Sequence, residues 1–427
     1  MYDNEKQTIV PGIAKGELAV QRISELTLPE LPIEHPQFGE DPFSKFSAAR
    51  TQHPWLAKCA YGYVVTGYTA IRDLLLMDDK MRGPYDMVFD IMNARGSRWA
   101  RFQEESVLAL WGEPHKRIRD VLAPMFTPRA ANQRRGLMRQ VIASLLDEWA
   151  PKGTFDFEEF ASYFPITVMC SLIGASAEVI PDMRSSLETL GLSMNLIPNF
   201  LPKLEQAVEF MESYLDRLVA DRRAGKRLKE EPDLLDALIG ARDSGGLSDQ
   251  EMNSFLIFLF VAGYDTSKNV LTMMMDQLIP RPDIYNRCAV DLEYCHKVVE
   301  ESLRYRNPGN SARLVNEEFV YRDVVFPKDT MLFLPNSISG RDPDAVADPE
   351  RFDPERPQQN RHLAFGRGMH MCLGQYIARA QIEEGFHLIT QRLKNPRLVG
   401  KSGARPFPGT WGLKGLPIEF TPAPRPG

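Results

Sequence analysis

The sequence predicts a mainly α-helical protein with a small β region. Helical periodicity extends from about residue 112 to 305, punctuated by prolines, and resumes from Cys372 to about Leu393. Strand-like stretches rich in Val, Tyr and Phe occur near residues 55–70 and 313–345. Long helices with two short β segments are typical of a domain in which the strands form a minor layer.

The chain is predicted to form a single domain over residues 1–427. It has no internal repeat and no low-complexity linker that would divide it. Residues 1–30 are expected to be a loosely held arm, and residues 421–427, with three prolines, an irregular tail. A chain of this length with 43% hydrophobic residues can bury a core that encloses a bulky cofactor.

Charge and hydropathy exclude several classes of function. The formal net charge is −6 and the pI about 5.8, whereas nucleic-acid binders are usually basic. The apolar run Phe255–Gly263 is too short to span a bilayer, and Met1–Val10 lacks the pattern of a secretory signal. We therefore expect a cytoplasmic protein with no nucleic-acid partner and no membrane.

The most informative string, Phe365–Gly374, contains Cys372. Gly366 and Gly368 permit positive φ angles and a tight turn that aims backbone amides at an anion. A helix is predicted to follow at Gln375, and the partial positive charge at a helix N-terminus stabilises a thiolate. The segment therefore suits a sulfur atom that stays ionised.

Three kinds of site compete for this string. A dinucleotide-binding loop would need a third glycine where Met371 stands. A zinc site could use His362, His370 and Cys372, but no familiar spacing completes it. A haem iron needs one strong axial ligand, a role that fits a cysteine thiolate.

A long buried helix is predicted to begin at the capping box Ser248–Glu251, because Phe255–Val261 is apolar on every side. Gly, Asp and Thr follow within Ala262–Thr266, and the Thr266 hydroxyl can bond the Ala262 carbonyl. Two interpretations remain open. The helix has a groove that receives a small polar ligand, or the threonine is satisfied by its own helix and the aspartate by a neighbouring side chain.

Glu301 and Arg304 stand three residues apart and share one helix face. Such a pair is usually an exposed ion pair that contributes at most about 1 kcal/mol. The alternative is a buried, bidentate hub that fixes later segments of the chain. Arg351 is the candidate third member of this hub.

Together these strings resemble the cytochrome P-450 family. Ala262–Thr266 matches the oxygen-binding segment of the family's long central helix, Glu301–Arg304 its structural pair, and His115–Arg119 a string that holds haem carboxylates. The cysteine-ligand loop of the family is matched at Phe365, Gly366, Gly368, His370, Cys372, Leu373 and Gly374. The strings follow the family's order over nearly the whole chain. The resemblance implies a triangular prism of helices around a haem.

The resemblance also implies residue roles. Cys372 is the axial ligand of the iron in haem b, and Thr266 and Asp265 form the distal pair that handles oxygen and protons. Other implied haem-binding residues are His115, Arg119, Arg313, His370, Phe365, Gly366, Gly374, Ala262 and Gly263. The implied substrate pocket contains Phe258, Val261, Ala262, Thr266, Gly309, Asn310 and Thr410.

The implied activity is that of a haem-thiolate monooxygenase, which inserts one atom of O2 into a C–H bond. Apolar pocket segments suit a small-to-medium substrate such as a terpenoid, aromatic or alkyl compound. A fatty-acid or steroid hydroxylase, a peroxide-driven variant and a haem-based binding or sensing protein are the alternatives. Electrons are expected from a ferredoxin with its reductase. The candidate basic docking face comprises Lys116, Arg117, Arg129, Arg134 and Arg135.

Overall fold

The computed structural model describes residues 20–196, 198–228, 230–357 and 361–425, without the side chains of Asn195 and Pro198. Residues 1–19 of the expected arm and 426–427 of the expected tail lie outside the described residues. The α-helices are α1 (Pro42–Gln52), α2 (Tyr68–Leu74), α3 (Tyr85–Ile91), α4 (Arg98–Glu105), α5 (Gly112–Leu122), α6 (Pro128–Trp149), α7 (Phe157–Ile173), α8 (Ile180–Gly191), α9 (Leu201–Arg223), α10 (Leu234–Asp243), α11 (Asp249–Leu278), α12 (Pro282–Val290), α13 (Leu292–Tyr305), α14 (Asn336–Ser339) and α15 (Gln375–Arg392).

The strands are short. They are β1 (Gln21–Arg22), β2 (Leu56–Cys59), β3 (Gly62–Val65), β4 (Met81–Arg82), β5 (Thr154–Asp156), β6 (Ser311–Val315), β7 (Phe319–Tyr321), β8 (Val324–Phe326), β9 (Met331–Leu334), β10 (Leu393–Leu398), β11 (Gly403–Ala404), β12 (Leu413–Lys414) and β13 (Pro417–Pro422). The prediction of a mainly α fold with a small β region is confirmed.

Helix α11 is the central element. Its capping box is formed as predicted, because the Ser248 hydroxyl accepts from the Glu251 amide and the Glu251 carboxylate accepts from the Ser248 amide at 2.8 Å. The helix continues without interruption to Leu278 and packs against α7, α8, α9, α13 and α15. Most of its residues are buried, as a helix that is apolar on every side requires.

The largest sheet has the order β2-β3-β9-β6-β4. Strands β2 and β3 form an antiparallel hairpin, β3 runs parallel to β9, and β6 lies antiparallel to both β9 and β4. The strand-like pattern predicted over residues 55–70 ends earlier than expected, because α2 begins at Tyr68. This sheet carries Arg313 on β6, so it brings a candidate haem-binding side chain towards the helical core.

Both ends of the described chain are more ordered than expected. Strand β1 pairs in parallel with Val324 and Val325, and the Ile23 side chain is buried. The prediction of a loosely held arm is therefore wrong for residues 20–30. Strand β13 pairs with β10 as far as Pro422, so the predicted irregular tail begins later than residue 421.

Candidate functional site

The cysteine loop closes through its own backbone just before α15. The Cys372 amide donates to the Phe365 carbonyl at 2.8 Å, and the Met371 amide donates to the Gly368 carbonyl at 3.1 Å. Gly366 and Gly368 have φ angles of +66° and +72°, the left-handed region that glycine adopts freely. A Cβ at Gly368 would also lie 2.4 Å from the carbonyl oxygen of Leu75. The two glycines thus set the turn that presents the sulfur.

Cys372 is half-buried, whereas the other four cysteines are buried. Burial raises the pKa of the Cys372 thiol, while the Gly374 amide and the charges of Arg119 and Arg379 lower it. The net direction is upward, because burial outweighs these favourable contacts. A metal cation at the sulfur would supply the missing positive charge and deprotonate it.

The zinc interpretation gains no support from the geometry. Within the part of the chain that the structure describes, no group of three or more His, Cys, Asp or Glu side chains is arranged to hold a metal ion. His362, one of its candidate ligands, instead bonds Glu300 at 3.2 Å.

A cationic cluster lies beside the loop. The His370 ring is 4.5 Å from that of His115 and 4.2 Å from that of Trp111, and the Arg313 guanidinium lies 5.6 Å from the Trp111 ring. Arg119 donates to the carbonyl of Met371 in the loop. The fold thus brings the four predicted carboxylate-binding residues to the loop, although they come from α5, β6 and the loop itself.

These polar groups have few partners of their own. Among the described residues, His115 Nε2 and both ring nitrogens of His370 are buried without a hydrogen bond, and neither Arg119 nor Arg313 forms a salt bridge. Burial and the Arg313 charge lower the pKa of His370 to about 3, and burial also lowers the pKa of Arg313. Buried donors need acceptors, so the cluster fits a ligand with several anionic oxygens, as the two carboxylates of haem provide.

On α11, a stripe of residues is left uncovered by neighbouring elements. Phe258, Val261, Ala262, Gly263 and Thr266 are half-buried, while the residues around them are mostly buried. The spacing places Phe258, Val261, Ala262 and Thr266 on one helix face, whereas Gly263 lies across the helix from Val261, where a Cβ would be 2.7 Å from the end of the Met169 side chain. The Thr266 hydroxyl donates to the Ala262 carbonyl at 2.7 Å, so its oxygen keeps a free lone pair.

Asp265 points into a different environment. It is 1% exposed, accepts a hydrogen bond from Arg405, and lies 3.4 Å from the ammonium of Lys268. These bonds match the second interpretation for this part of the helix, in which the threonine bonds its own helix and the aspartate bonds a neighbouring side chain. Asp265 Oδ2 is nevertheless buried without a hydrogen bond among the described residues.

Glu301 and Arg304 form a buried hub. Two guanidinium nitrogens donate to the Glu301 carboxylate at 2.7 Å each, and both side chains are more than nine-tenths buried. Arg304 also donates to the carbonyls of Gly340, Pro349 and Arg351 at 2.7, 2.9 and 3.1 Å. One guanidinium therefore holds the chain that leads to the cysteine loop.

The third member of this hub is not the predicted one. The Arg351 side chain is 67% exposed and pairs with Asp353 at 3.4 Å, so the prediction that its guanidinium completes the hub is wrong. Arg351 contributes only its carbonyl. Arg356 takes the place instead, 3.7 Å from Glu301, with donors to the carbonyls of Asp348 and Arg351 at 2.9 and 2.7 Å.

Glu300, next to the hub, ties α13 to α15. It accepts from Arg379 at 2.6 Å and contacts His362 at 3.2 Å. Burial would raise the pKa of Glu300, but the bonds to His362 and Arg379 lower it to about 2. No pattern in the sequence marks this second carboxylate, because only the Glu301–Arg304 spacing matches a motif.

A small apolar cavity lies near the predicted substrate residues. Asn310 lines it together with Ile33, Met194, Leu196, Ala312, Met331, Phe333, Phe407 and Gly409. The Asn310 side chain is fixed at both ends, donating to the Phe407 carbonyl at 2.6 Å and accepting from Ser337 at 2.7 Å. Gly309 and Thr410 flank lining residues in sequence, and the α11 stripe does not line this cavity.

Comparison with known proteins decides the family. The family model described as Cytochrome P450 matches residues 63–397, which is most of the chain. The chain belongs to the cytochrome P450 family. Luteothin monooxygenase of Streptomyces thioluteus is 30% identical over 400 residues, covering 92% of this chain and 96% of that protein. The cytochrome P450 monooxygenase PikC of Streptomyces venezuelae is 29% identical over 316 residues, covering 72% and 74%.

Solved structures agree on the fold. The crystal structure of CalO2 matches with a TM-score of 0.83 over 92% of this chain and all of that one, at 22% identity. This P450 is therefore a monooxygenase of the haem-thiolate type, and its family implies haem, O2 and an electron-transfer partner. Within the described ranges, no helix has the length and apolar character needed to cross a membrane.

The candidate docking face of this P450 is only partly available. Arg135 is neutralised by Glu383 and Glu384, and Arg134 is half-buried and donates to the Met125 carbonyl. The Arg117 guanidinium pairs with Glu251. Two exposed cations remain. Lys116 bonds only its helix neighbour Asp120, and Arg129 forms no ion pair among the described residues.

Proposed function

We propose that this P450 is an O2-dependent hydroxylase of small-to-medium apolar compounds, with terpenoid, aromatic and alkyl compounds as the substrate classes. The cofactor proposed is haem b, and the electron donor is a ferredoxin with its reductase. The observation that carries the proposal is the cluster of His115, Arg119, Arg313 and His370 beside the cysteine loop. Among the described residues, its buried histidine nitrogens lack hydrogen-bond partners and neither guanidinium forms a salt bridge.

In this proposal the cysteine loop and the adjacent cationic cluster together would hold the cofactor. Cys372 would ligate the iron, and the cluster would bind the two carboxylates, whose charge would compensate the half-buried guanidiniums of Arg119 and Arg313. Phe365, Gly366 and Gly374 would pack as the loop walls, and the small Ala262 side chain would leave room on α11. Gly263 would contribute its backbone, because the end of the Met169 side chain fills the space beside it. When bound, a thiolate-ligated haem supplies O2 activation and C–H oxidation.

The chain's own part of the chemistry is placement and proton supply. The Thr266 hydroxyl donates to its own helix, so its oxygen can accept a hydrogen bond from a guest in the uncovered stripe. Asp265 is the nearest carboxylate along the helix and would hold the proton that the reaction consumes. Phe258 and Val261 would exclude water from the same face.

The proposed pocket is apolar. The half-buried stripe on α11 and the cavity beside Asn310 offer chiefly Met, Phe, Leu and Ala side chains, which favour a guest with few polar groups. Gly309, Asn310 and Thr410 would border it as the small residues. Two relatives bear names that contain the word monooxygenase, which supports the reaction class.

Lys116 and Arg129 are the exposed cations that support a ferredoxin contact. Lys116 lies on α5, the helix that also carries His115 and Arg119, and Arg129 lies in the first turn of α6. A small acidic protein docked there would be close to the cofactor edge, and its association would weaken as salt rises.

An optical titration of the purified ferric protein tests the proposal. Terpenes, aromatics, alkanes, fatty acids and steroids are added separately, and the spin-state change of the haem band is followed. A response confined to one of the first three classes supports the proposed substrate. A response to fatty acids or steroids alone replaces it. A spin-state change that is not accompanied by ferredoxin-dependent O2 consumption identifies a peroxide-driven or sensing protein instead.

A further inference from the structure

The buried charges around Asp265 form a chain that reaches the surface. The Lys268 ammonium lies 3.4 Å from Asp265 on the same helix and 2.8 Å from Glu158 on α7. Lys268 and Asp265 are almost fully buried, whereas the Glu158 side chain is 20% exposed. Arg405 bonds Asp265 from the opposite direction and is also buried. Glu158 is therefore the member of this cluster that meets water.

The two cations that flank Asp265 differ in chemistry. The guanidinium of Arg405 stays protonated under all conditions a protein meets. Burial lowers the pKa of Arg405, but the charge and hydrogen bond of Asp265, together with the charges of Glu158 and Tyr264, raise it on balance. An ammonium, by contrast, can give up a proton when buried beside an acceptor. Of the two, only Lys268 can pass a proton to Asp265.

We infer that Glu158 and Lys268 form the proton inlet to Asp265, with Arg405 as a fixed counter-ion; this inference rests on the proposed oxygen-dependent function. The Lys268 ammonium transfers a proton to the Asp265 carboxylate. The Glu158 carboxylate accepts a proton from water and passes it to the resulting neutral amine, which restores the Lys268 ammonium and the Glu158 carboxylate. Each step moves one proton and leaves the heavy atoms bonded as before.

The enclosure of Asp265 favours this route over direct contact with water. Its second carboxylate oxygen is buried without a hydrogen bond among the described residues. A Cβ at Gly191, the last residue of α8, would lie 2.6 Å from that oxygen, so the α8 backbone closes this side. The Arg405 guanidinium closes a second side of the Asp265 carboxylate. Lys268 and Glu158 occupy a side of Asp265 that leads outwards through polar groups in direct contact.

The decisive variant is Lys268→Arg, because it keeps the positive charge but cannot release a proton. We expect Lys268→Arg and Glu158→Gln each to lower the amount of product formed per O2 consumed, on the order of 10-fold to 100-fold. This loss lies at or below the lower end of the contribution that a positioned acid–base group usually makes. Hydrogen peroxide brings its own protons, so peroxide-driven turnover of both variants should match that of the unmodified protein.

Asp276→Asn is the matched control. Asp276 also lies on α11, its side chain is 25% exposed, and it pairs with buried Arg306 at 2.9 Å. Asp276 does not belong to the cluster around Asp265. The Asp276→Asn variant should therefore form as much product per O2 consumed as the unmodified protein. If Lys268→Arg couples as well as the unmodified protein, Lys268 is a counter-ion only and the inference is wrong. Parallel loss of O2-driven and peroxide-driven turnover would likewise overturn it, because it indicates a structural role.

A second readout needs no turnover. The infrared C=O stretch of a neutral carboxyl group is followed as the resting protein is acidified, with Asp265→Asn identifying the Asp265 band. Loss of a neighbouring ammonium favours the neutral carboxyl group. In Lys268→Met the band should appear at a higher pH than in the unmodified protein, and an unshifted band contradicts the link between the two groups. An unmodified protein without O2-driven turnover would instead refute the proposed function and leave this readout standing.

Discussion

Glu301→Ala should cost the protein much of its stability. The change leaves the Arg304 guanidinium buried without its counter-ion, and it removes the acceptor of the Asp353 amide, which bonds Glu301 at 2.7 Å. Breaking a buried ion pair from one side costs about 3–5 kcal/mol. The orphaned amide adds about 1 kcal/mol or more. Since native proteins are stable by about 5–15 kcal/mol, the loss is a large share of the total.

Urea unfolding followed by far-UV circular dichroism measures this loss, and the haem content of the same preparation reports on the cysteine loop. Glu350→Ala is the control, because Glu350 forms an ion pair with Arg341 but its side chain is 62% exposed. That pair should contribute less than about 1 kcal/mol. If both variants unfold at the same urea concentration and bind equal haem, the hub does not hold the fold and the reasoning fails.

Four other changes have equally specific outcomes. Cys372→Ala should abolish the ferrous–CO absorption band typical of thiolate ligation, and a retained band would rule out Cys372 as the ligand. Thr266→Ala should keep haem but divert electrons to peroxide, with Thr266→Ser in between; undiminished coupling would argue against its distal role. Arg313→Met should speed the transfer of haem to apomyoglobin, and an unchanged rate would remove Arg313 from the cofactor site. The pKa of Glu300, lowered from 4.5 to about 2 by bonds from a histidine and an arginine despite burial, gives stability that is present above pH 4.5 and lost as the pH falls towards 2. Glu300→Gln should flatten that part of the stability curve measured by thermal unfolding.

Features set by neighbouring residues could be predicted from the sequence. The capping box at Ser248 and the self-bonded Thr266 depend on contacts three or four residues along one helix. The turn before Cys372 follows from its two glycines, whose φ angles are positive. In each case the interaction is local, so spacing alone carries the information.

Long-range partners could not be predicted in this way. Arg405 lies 140 residues after Asp265, and no pattern in the sequence links a buried aspartate to one of many arginines. Arg351 and Arg356 stand five residues apart in one irregular segment, and only the path of that segment decides which of them faces Glu301. The pairing of β1 was missed because a strand of two residues has no periodicity.

The uncovered stripe on α11 allows the choice of substrate to change while the reaction stays the same. The side chains that face inwards towards α7 and α15 hold the helix in place, whereas those at Phe258 and Val261 are only half-covered by other parts of the fold. Exchanging the latter alters the shape offered to a guest while leaving few packed atoms without neighbours, so the cavity penalty of an ordinary core substitution is largely avoided. If Phe258 and Val261 border the substrate as proposed, single mutations there should change which compounds are oxidised at little cost in stability, and laboratory evolution of this enzyme should begin at those two positions.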